Sequence, residues 1–113
     1  MDNRRERKPT HPGELIREDL LTEIGLSQAQ LARLMGVSRR TISDLVNERR
    51  RVTPDMAYRL ARVFNSTPEM WLNMQQAVDL WDARAVHGPE YRKIRPVKEV
   101  IPSSVSPGAH LNV

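Results

Sequence analysis

The sequence predicts an all-α protein of five helices arranged around a helix-turn-helix, and three observations carry that expectation. Ser27 followed three residues later by Gln30 forms a capping box at the start of a run with Leu31, Ala32, Leu34 and Met35. Gly36-Val37-Ser38 then stops that helix and begins another within three residues, because glycine takes the left-handed conformation a sharp stop requires and serine is a good N-cap. Finally, Ile42, Leu45 and Val46 recur at helical spacing, giving the second helix a single apolar face. Two short helices joined by a tight turn are the sequence form of a helix-turn-helix.

Taken in order, residues 1–10 form a charged basic arm, expected to be flexible, in which Arg4, Arg5, Arg7 and Lys8 are either solvated or available to a DNA backbone or minor groove. The folded domain is expected over residues 11–86. His11 is read as a helix-start residue, and Pro12 begins the first helix, with Leu15, Ile16, Leu20 and Ile24 as its core stripe and Gly25 as its end. Its outer face is acidic, with Glu14, Glu18 and Glu23 and with Asp19 alongside. That face is either simply solvated or a docking surface for a basic partner. The helix-turn-helix supplies the second and third helices. Thr53-Pro54 and Thr67-Pro68 start the fourth and fifth, each with an N-cap threonine, a proline in the first turn and an acid, Asp55 or Glu69, behind it. In the fifth helix, Trp71 and Met74 are expected in the core, whereas Val78, Trp81 and Ala85 extend the apolar stripe beyond what a small bundle covers and suggest a subunit or partner interface. Gly88, Pro89, Pro96, Pro102 and Pro107-Gly108 predict a helix end near Val86 and a Pro-rich tail over residues 87–113, disordered from Ser103 onward. The apolar positions between Tyr91 and Ile101 leave room for a short edge strand.

The third helix breaks a local preference. Helix starts favour Asp or Glu, each worth roughly 0.3–1 kcal/mol, yet its first turn carries Arg39 and Arg40. Departures from local preference mark functional sites, and a cationic helix start suits an anionic partner. With Ile42, Leu45 and Val46 inward, Arg40, Asp44 and Asn47 point away, flanked by Arg39 and Ser43. Such a face suits the major groove, where Arg reads guanine and Asn reads adenine. The alternative is an ordinary solvated Arg40–Asp44 pair four residues apart, worth a few tenths of a kcal/mol. The loop Arg49-Arg50-Arg51 is placed for phosphates, which set register rather than sequence.

Charge distribution favours the nucleic-acid reading. Between Arg33 and Arg51 lie six arginines and two carboxylates, a net +4 that equals the formal excess of the whole 113-residue chain. A localised positive patch is the footprint of a polyanion binder. The chain has no cysteine, so neither a disulfide framework nor a thiolate metal site is available, as suits a reducing cytoplasm. No run is apolar for the roughly 20 residues a membrane span needs. An enzyme is disfavoured: catalytic cysteines, metal-ligand spacing and a phosphate-binding glycine loop are all missing, and no cofactor or metal is expected. A purely protein-binding adaptor leaves the arginine pair and the arginine loop unexplained.

The residues resemble the HigA antitoxins of bacterial HigB–HigA toxin–antitoxin modules, within the phage-repressor-like (XRE) helix-turn-helix class. The matching motifs are His11-Pro12-Gly13-Glu14, Leu26-Ser27-Gln28, Gly36-Val37-Ser38 and Thr41-Ile42-Ser43, followed by Val52-Thr53-Pro54-Asp55-Met56-Ala57 and Thr67-Pro68-Glu69-Met70-Trp71-Leu72 with Asp79-Leu80. They span about Pro12 to Trp81. The resemblance implies a compact five-helix domain that forms a homodimer and represses its own operon at a palindromic operator. It further implies binding and neutralisation of a small basic HigB toxin, an mRNA-cleaving ribonuclease. By position it implies that Arg39, Arg40 and Ser43 face bases; Asp44, turned outward on the same face by helical spacing, is expected to read bases with them. Gln28 would contact phosphate and buttress the reading helix, and Ser38, Thr41, Asn47, Arg49, Arg50 and Arg51 would lie along the backbone. A helix-turn-helix repressor without a toxin partner is the alternative.

Overall fold

A computed structural model describes residues 7–100 of the chain. Helix α1 occupies residues 12–24, α2 is Gln28–Met35, α3 Arg39–Val46, α4 Pro54–Val63 and α5 Pro68–Lys93, followed by a single helical turn, α6, at Val97–Val100. No strand occurs among the described residues. The local start signals act as expected. Ser27 Oγ accepts from the Gln30 amide at 3.1 Å while Gln30 Oε1 accepts from the Ser27 amide at 2.8 Å. Ser38, Thr53 and Thr67 likewise accept from the amides of Thr41, Met56 and Met70. Gly36, at φ 70°, ends α2 in the left-handed conformation.

The chain divides into two compact units, Met1–Asp82 and Ala83–Val113. In the first, the core gathers Ile16 from α1, Leu31, Ala32 and Met35 from α2, Ile42, Leu45 and Val46 from α3, Val52, the α4 residues Met56, Ala57, Leu60 and Ala61, and Trp71 from α5. The Trp71 side chain is fully buried, its Nε1 donating to Ser66 Oγ at 2.8 Å and its ring 6.0 Å from that of Phe64. Burial of an aromatic side chain this large contributes more than an aliphatic one, provided its N–H finds a partner, as it does here.

Helix α1 departs from the expected stripe. Its middle, Ile16–Leu20, is a π turn in which the Leu21 amide bonds to the Ile16 carbonyl five residues back. The wider turn rotates the last turn of α1 away from a 3.6-residue repeat, so Leu20 and Leu21 pack on the core while Ile24 is 56% exposed. Val78 is a second correction. It is only 3% exposed, so it is an interior residue and has no surface to give to a subunit interface. Trp81 is half-buried and Ala85 exposed.

The second unit corrects the expected helix end near Val86. Helix α5 continues through Gly88 and Pro89 to Lys93. An interior proline removes one hydrogen bond and crowds the carbonyl four residues earlier, but it also disfavours helical backbone in the preceding residue by contact with that residue's Cβ. Gly88 has no Cβ. The His87–Glu90 side-chain contact at 2.8 Å also spans the junction. The segment allowed as an edge strand is instead the helical turn Val97–Val100, supported by Arg95 and Glu99 paired at 3.4 Å. Ile101 and residues 103–113, like Arg4 and Arg5, lie outside the described residues. No helix among the described residues is long and apolar enough to cross a membrane.

Candidate nucleic-acid interface

The candidate site is the outer face of α3 and the loop after it, and its geometry begins with what fixes α3 from behind. Ile42 and Leu45 are fully buried and Val46 nearly so. Gly13 lets α1 approach so closely that a Cβ built there would stand 1.8 Å from the Leu45 carbonyl oxygen. His11 caps α1 through Nδ1, which accepts from the Gly13 amide at 2.9 Å. Burial pushes the His11 imidazole below its ordinary value of 6.5, opposed by the nearby Glu48 carboxylate. A neutral Nδ1 is what the cap requires, since a protonated ring has no acceptor. The residues His11-Pro12-Gly13 therefore form the joint between α1 and α3.

Two arginines tie helix ends together. Arg17 donates through Nη1 to the Val46 carbonyl at the end of α3 and lies 3.5 Å from Glu48, while its Nε pairs with Glu18 at 2.9 Å. The hydrogen bond to Glu18 is the largest of the causes that raise the Arg17 pKa, with Glu48 acting in the same direction against desolvation. Arg59 does the same for α2: Nη1 donates to the Met35 carbonyl at 2.7 Å and Nε pairs with Asp55 at 2.9 Å. Cations at helix C-termini satisfy open carbonyls and complement the helix dipole.

On the outer face, no acid occupies the first turn of α3. Arg39 is exposed, and no carboxylate among the described residues pairs with it. Arg40, whose side chain is 84% exposed, meets Asp44 through Nε at 3.4 Å. Ser43 is half-buried beside them, and Thr41 Oγ1 is 2.9 Å from the capping Ser38 Oγ. Asn47, expected along the DNA backbone, caps the helix end, its Nδ2 donating to the Ser43 carbonyl at 2.9 Å. Gln28 stands exposed at the first turn of α2.

Asp44 is placed differently from the expectation that it faces bases. Its carboxylate lies 3.4 Å from Arg40, 3.3 Å from Arg49 and 4.0 Å from Arg50, and its side chain is only 19% exposed. It is enclosed by guanidinium groups from both the helix and the loop. The loop leaves α3 through Glu48, which holds φ at 61° and lets the Arg49 amide reach the Asp44 carbonyl at 2.8 Å. A left-handed non-glycine residue costs roughly 1–2 kcal/mol, so nothing in the residue type announced this turn.

The base of the loop is anchored by a polar chain that sequence periodicity did not disclose. Gln75, 3% exposed, accepts from the Val52 amide at 2.9 Å and donates to Asp79 at 3.0 Å; Asp79 in turn pairs with Arg51. Arg51 is thus oriented from α5, while Lys8 in the arm pairs with Asp82 at 3.3 Å.

Two short helices at a glycine turn, with the second cationic at its start and buried only on its inner face, define a helix-turn-helix domain. The family described as "Helix-turn-helix" matches residues 16–72. Antitoxin HigA-1 of Vibrio cholerae is 40% identical over 91 residues, covering 80% of this chain and 86% of that one. A Haemophilus influenzae protein, "Uncharacterized HTH-type transcriptional regulator", is 47% identical over 76 residues, or 67% and 71% of the two chains. Among solved structures, Pseudomonas aeruginosa antitoxin HigA with the higBA promoter superposes with a TM-score of 0.75 at 40% identity, covering 79% of this chain and 98% of that one. The chain belongs to the HigA-type antitoxins of the helix-turn-helix family.

Proposed function

We propose that this protein is a sequence-specific DNA-binding antitoxin that represses its own toxin–antitoxin operon and neutralises a HigB-type mRNA-cleaving toxin. The observation that carries the DNA half is a reading helix braced on its inner side by Gly13 and Arg17 and presenting Arg39, Arg40 and Ser43 outward, with Arg49, Arg50 and Arg51 beside it. A HigA at 40% identity has been solved with promoter DNA, which supports the same surface use. Two subunits related by a two-fold axis place their reading helices in successive major grooves roughly 34 Å apart, on a palindromic operator. Base edges are read by Arg39, Arg40 and Ser43; Ser38, Thr41 and the arginine loop hold the backbone. Trp81 and Ala85 are the candidate subunit contacts.

For the toxin half, the exposed Glu18 and Glu23, with half-buried Glu14, offer a basic partner an acidic face on α1. Glu18 also holds Arg17, which bonds the end of α3, so a partner on α1 has a mechanical route to the reading helix. The experiment is a titration against the gene's own upstream DNA at several salt concentrations, with and without the adjacent gene product. Saturable binding that beats random DNA and changes with the neighbour is expected. If each subunit neutralises three phosphates, log K falls against log salt with a slope of about −5. Operator binding indifferent to the neighbour selects the stand-alone repressor, the reading in keeping with the Haemophilus relative's description as a transcriptional regulator. Equal competition by random DNA overturns both.

A further inference from the structure

We infer that Asp44 is a specificity-determining positioning residue: it holds Arg40 in reading posture and competes with DNA phosphate for Arg49 and Arg50. The inference rests on the DNA-reading function proposed above. A carboxylate on a DNA-facing helix repels phosphate, and here it is surrounded by three guanidiniums at 3.3, 3.4 and 4.0 Å. One negative charge cannot neutralise three positive ones, so the cluster keeps a net attraction for a polyanion while each arginine retains an internal partner.

The atoms used give the arrangement its direction. Asp44 Oδ2 contacts Arg40 through Nε, which leaves both terminal nitrogens of the guanidinium available. A bidentate contact to guanine O6 and N7 needs two such N–H donors. Fixing Arg40 in one orientation before DNA arrives reduces the ordering cost of that contact. Arg49 and Arg50, by contrast, meet Asp44 through terminal nitrogens, the groups a phosphate takes. Non-specific binding depends almost wholly on such phosphate contacts, so drawing these arginines onto Asp44 weakens random DNA more than an operator that also offers base contacts. The Arg49 amide bonds to the Asp44 carbonyl at 2.8 Å, which keeps the loop within reach of the carboxylate.

The test is Asp44→Asn in the full chain, compared with wild type on its upstream DNA, on random duplex of equal length and on single-base operator variants. Exposed ion pairs are individually weak, so random-DNA affinity is expected to rise roughly threefold to tenfold. Operator affinity is expected to rise less, lowering the operator-to-random ratio. Discrimination at the base pair that Arg40→Ala identifies is expected to relax as well. In an Arg49→Gln/Arg50→Gln background the gain on random DNA shrinks to the part that comes from removing the carboxylate's own repulsion of phosphate. An unchanged ratio overturns the inference, as does a gain left undiminished by removal of both arginines, or equal weakening on all DNA with a lowered melting temperature. Wild type showing no preference for its upstream DNA instead removes the DNA-reading function itself, so the two failures are distinguishable.

Discussion

The backbone of Gly13 lies so close to the Leu45 carbonyl oxygen that a methyl group at residue 13 would stand 1.8 Å from it. That contact is backbone against backbone, between α1, which begins the domain, and α3, the second helix of the helix-turn-helix. No side-chain rotamer change relieves it; α1 and α3 must separate.

Gly13→Ala is therefore expected to destabilise the domain by about 3 kcal/mol, the upper part of the range for inserting a methyl group into a packed site. For a domain of this size the melting temperature should fall by more than 10 °C, as a thermal scan by circular dichroism measures. A shift below 2 °C would show that the two helices separate without cost.

The His11 cap predicts a pH dependence with a definite sign. Burial lowers its folded-state pKa below 6.5, against the weaker pull of Glu48. The unfolded chain therefore binds the proton more readily, and the stability from the neutral cap is full above about pH 6.5 and declines as pH falls below it. His11→Asn keeps an N-cap acceptor without titrating in this range. Urea unfolding between pH 5 and 8 should show the wild type losing stability relative to the variant on the acidic side. Parallel curves would mean that His11 contributes no linkage.

Arg40 and Arg50 are expected to separate base reading from phosphate contact. Arg40→Ala should cost about 1–3 kcal/mol at one base pair and little elsewhere. Arg50→Ala should weaken operator and random DNA alike and reduce the salt slope by about 0.9 for each phosphate no longer neutralised. Uniform weakening by Arg40→Ala would reassign Arg40 to the backbone.

Val78 and Trp81, three residues apart on α5, should fail in different assays. Val78 is interior, so Val78→Ala should lower monomer stability by on the order of 2 kcal/mol without changing association. Trp81→Ala is expected to weaken dimerisation, read by sedimentation across micromolar concentrations. An unchanged oligomer would place the interface elsewhere.

Local chemistry alone determined much of this protein. Ser27 with Gln30, Ser38, Thr53 and Thr67 start helices by contacts spanning three residues, and Gly36 stops one by its own backbone freedom. The inward set Ile42, Leu45 and Val46 follows from helical periodicity, and the outward arginines follow from it by subtraction. Only the tertiary structure decided the rest, because each remaining feature depends on residues far apart in the chain or on a turn that breaks the assumed period. The π turn at Ile16–Leu20 turned Ile24 outward, and packing buried Val78. Gln75 serves an amide 23 residues away. The left-handed Glu48 brings Arg49 and Arg50 back onto Asp44, turning an expected base contact into the centre of a charge cluster. Sequence spacing gives a side chain's direction along its own helix; which distant groups meet it there depends on how the helices pack.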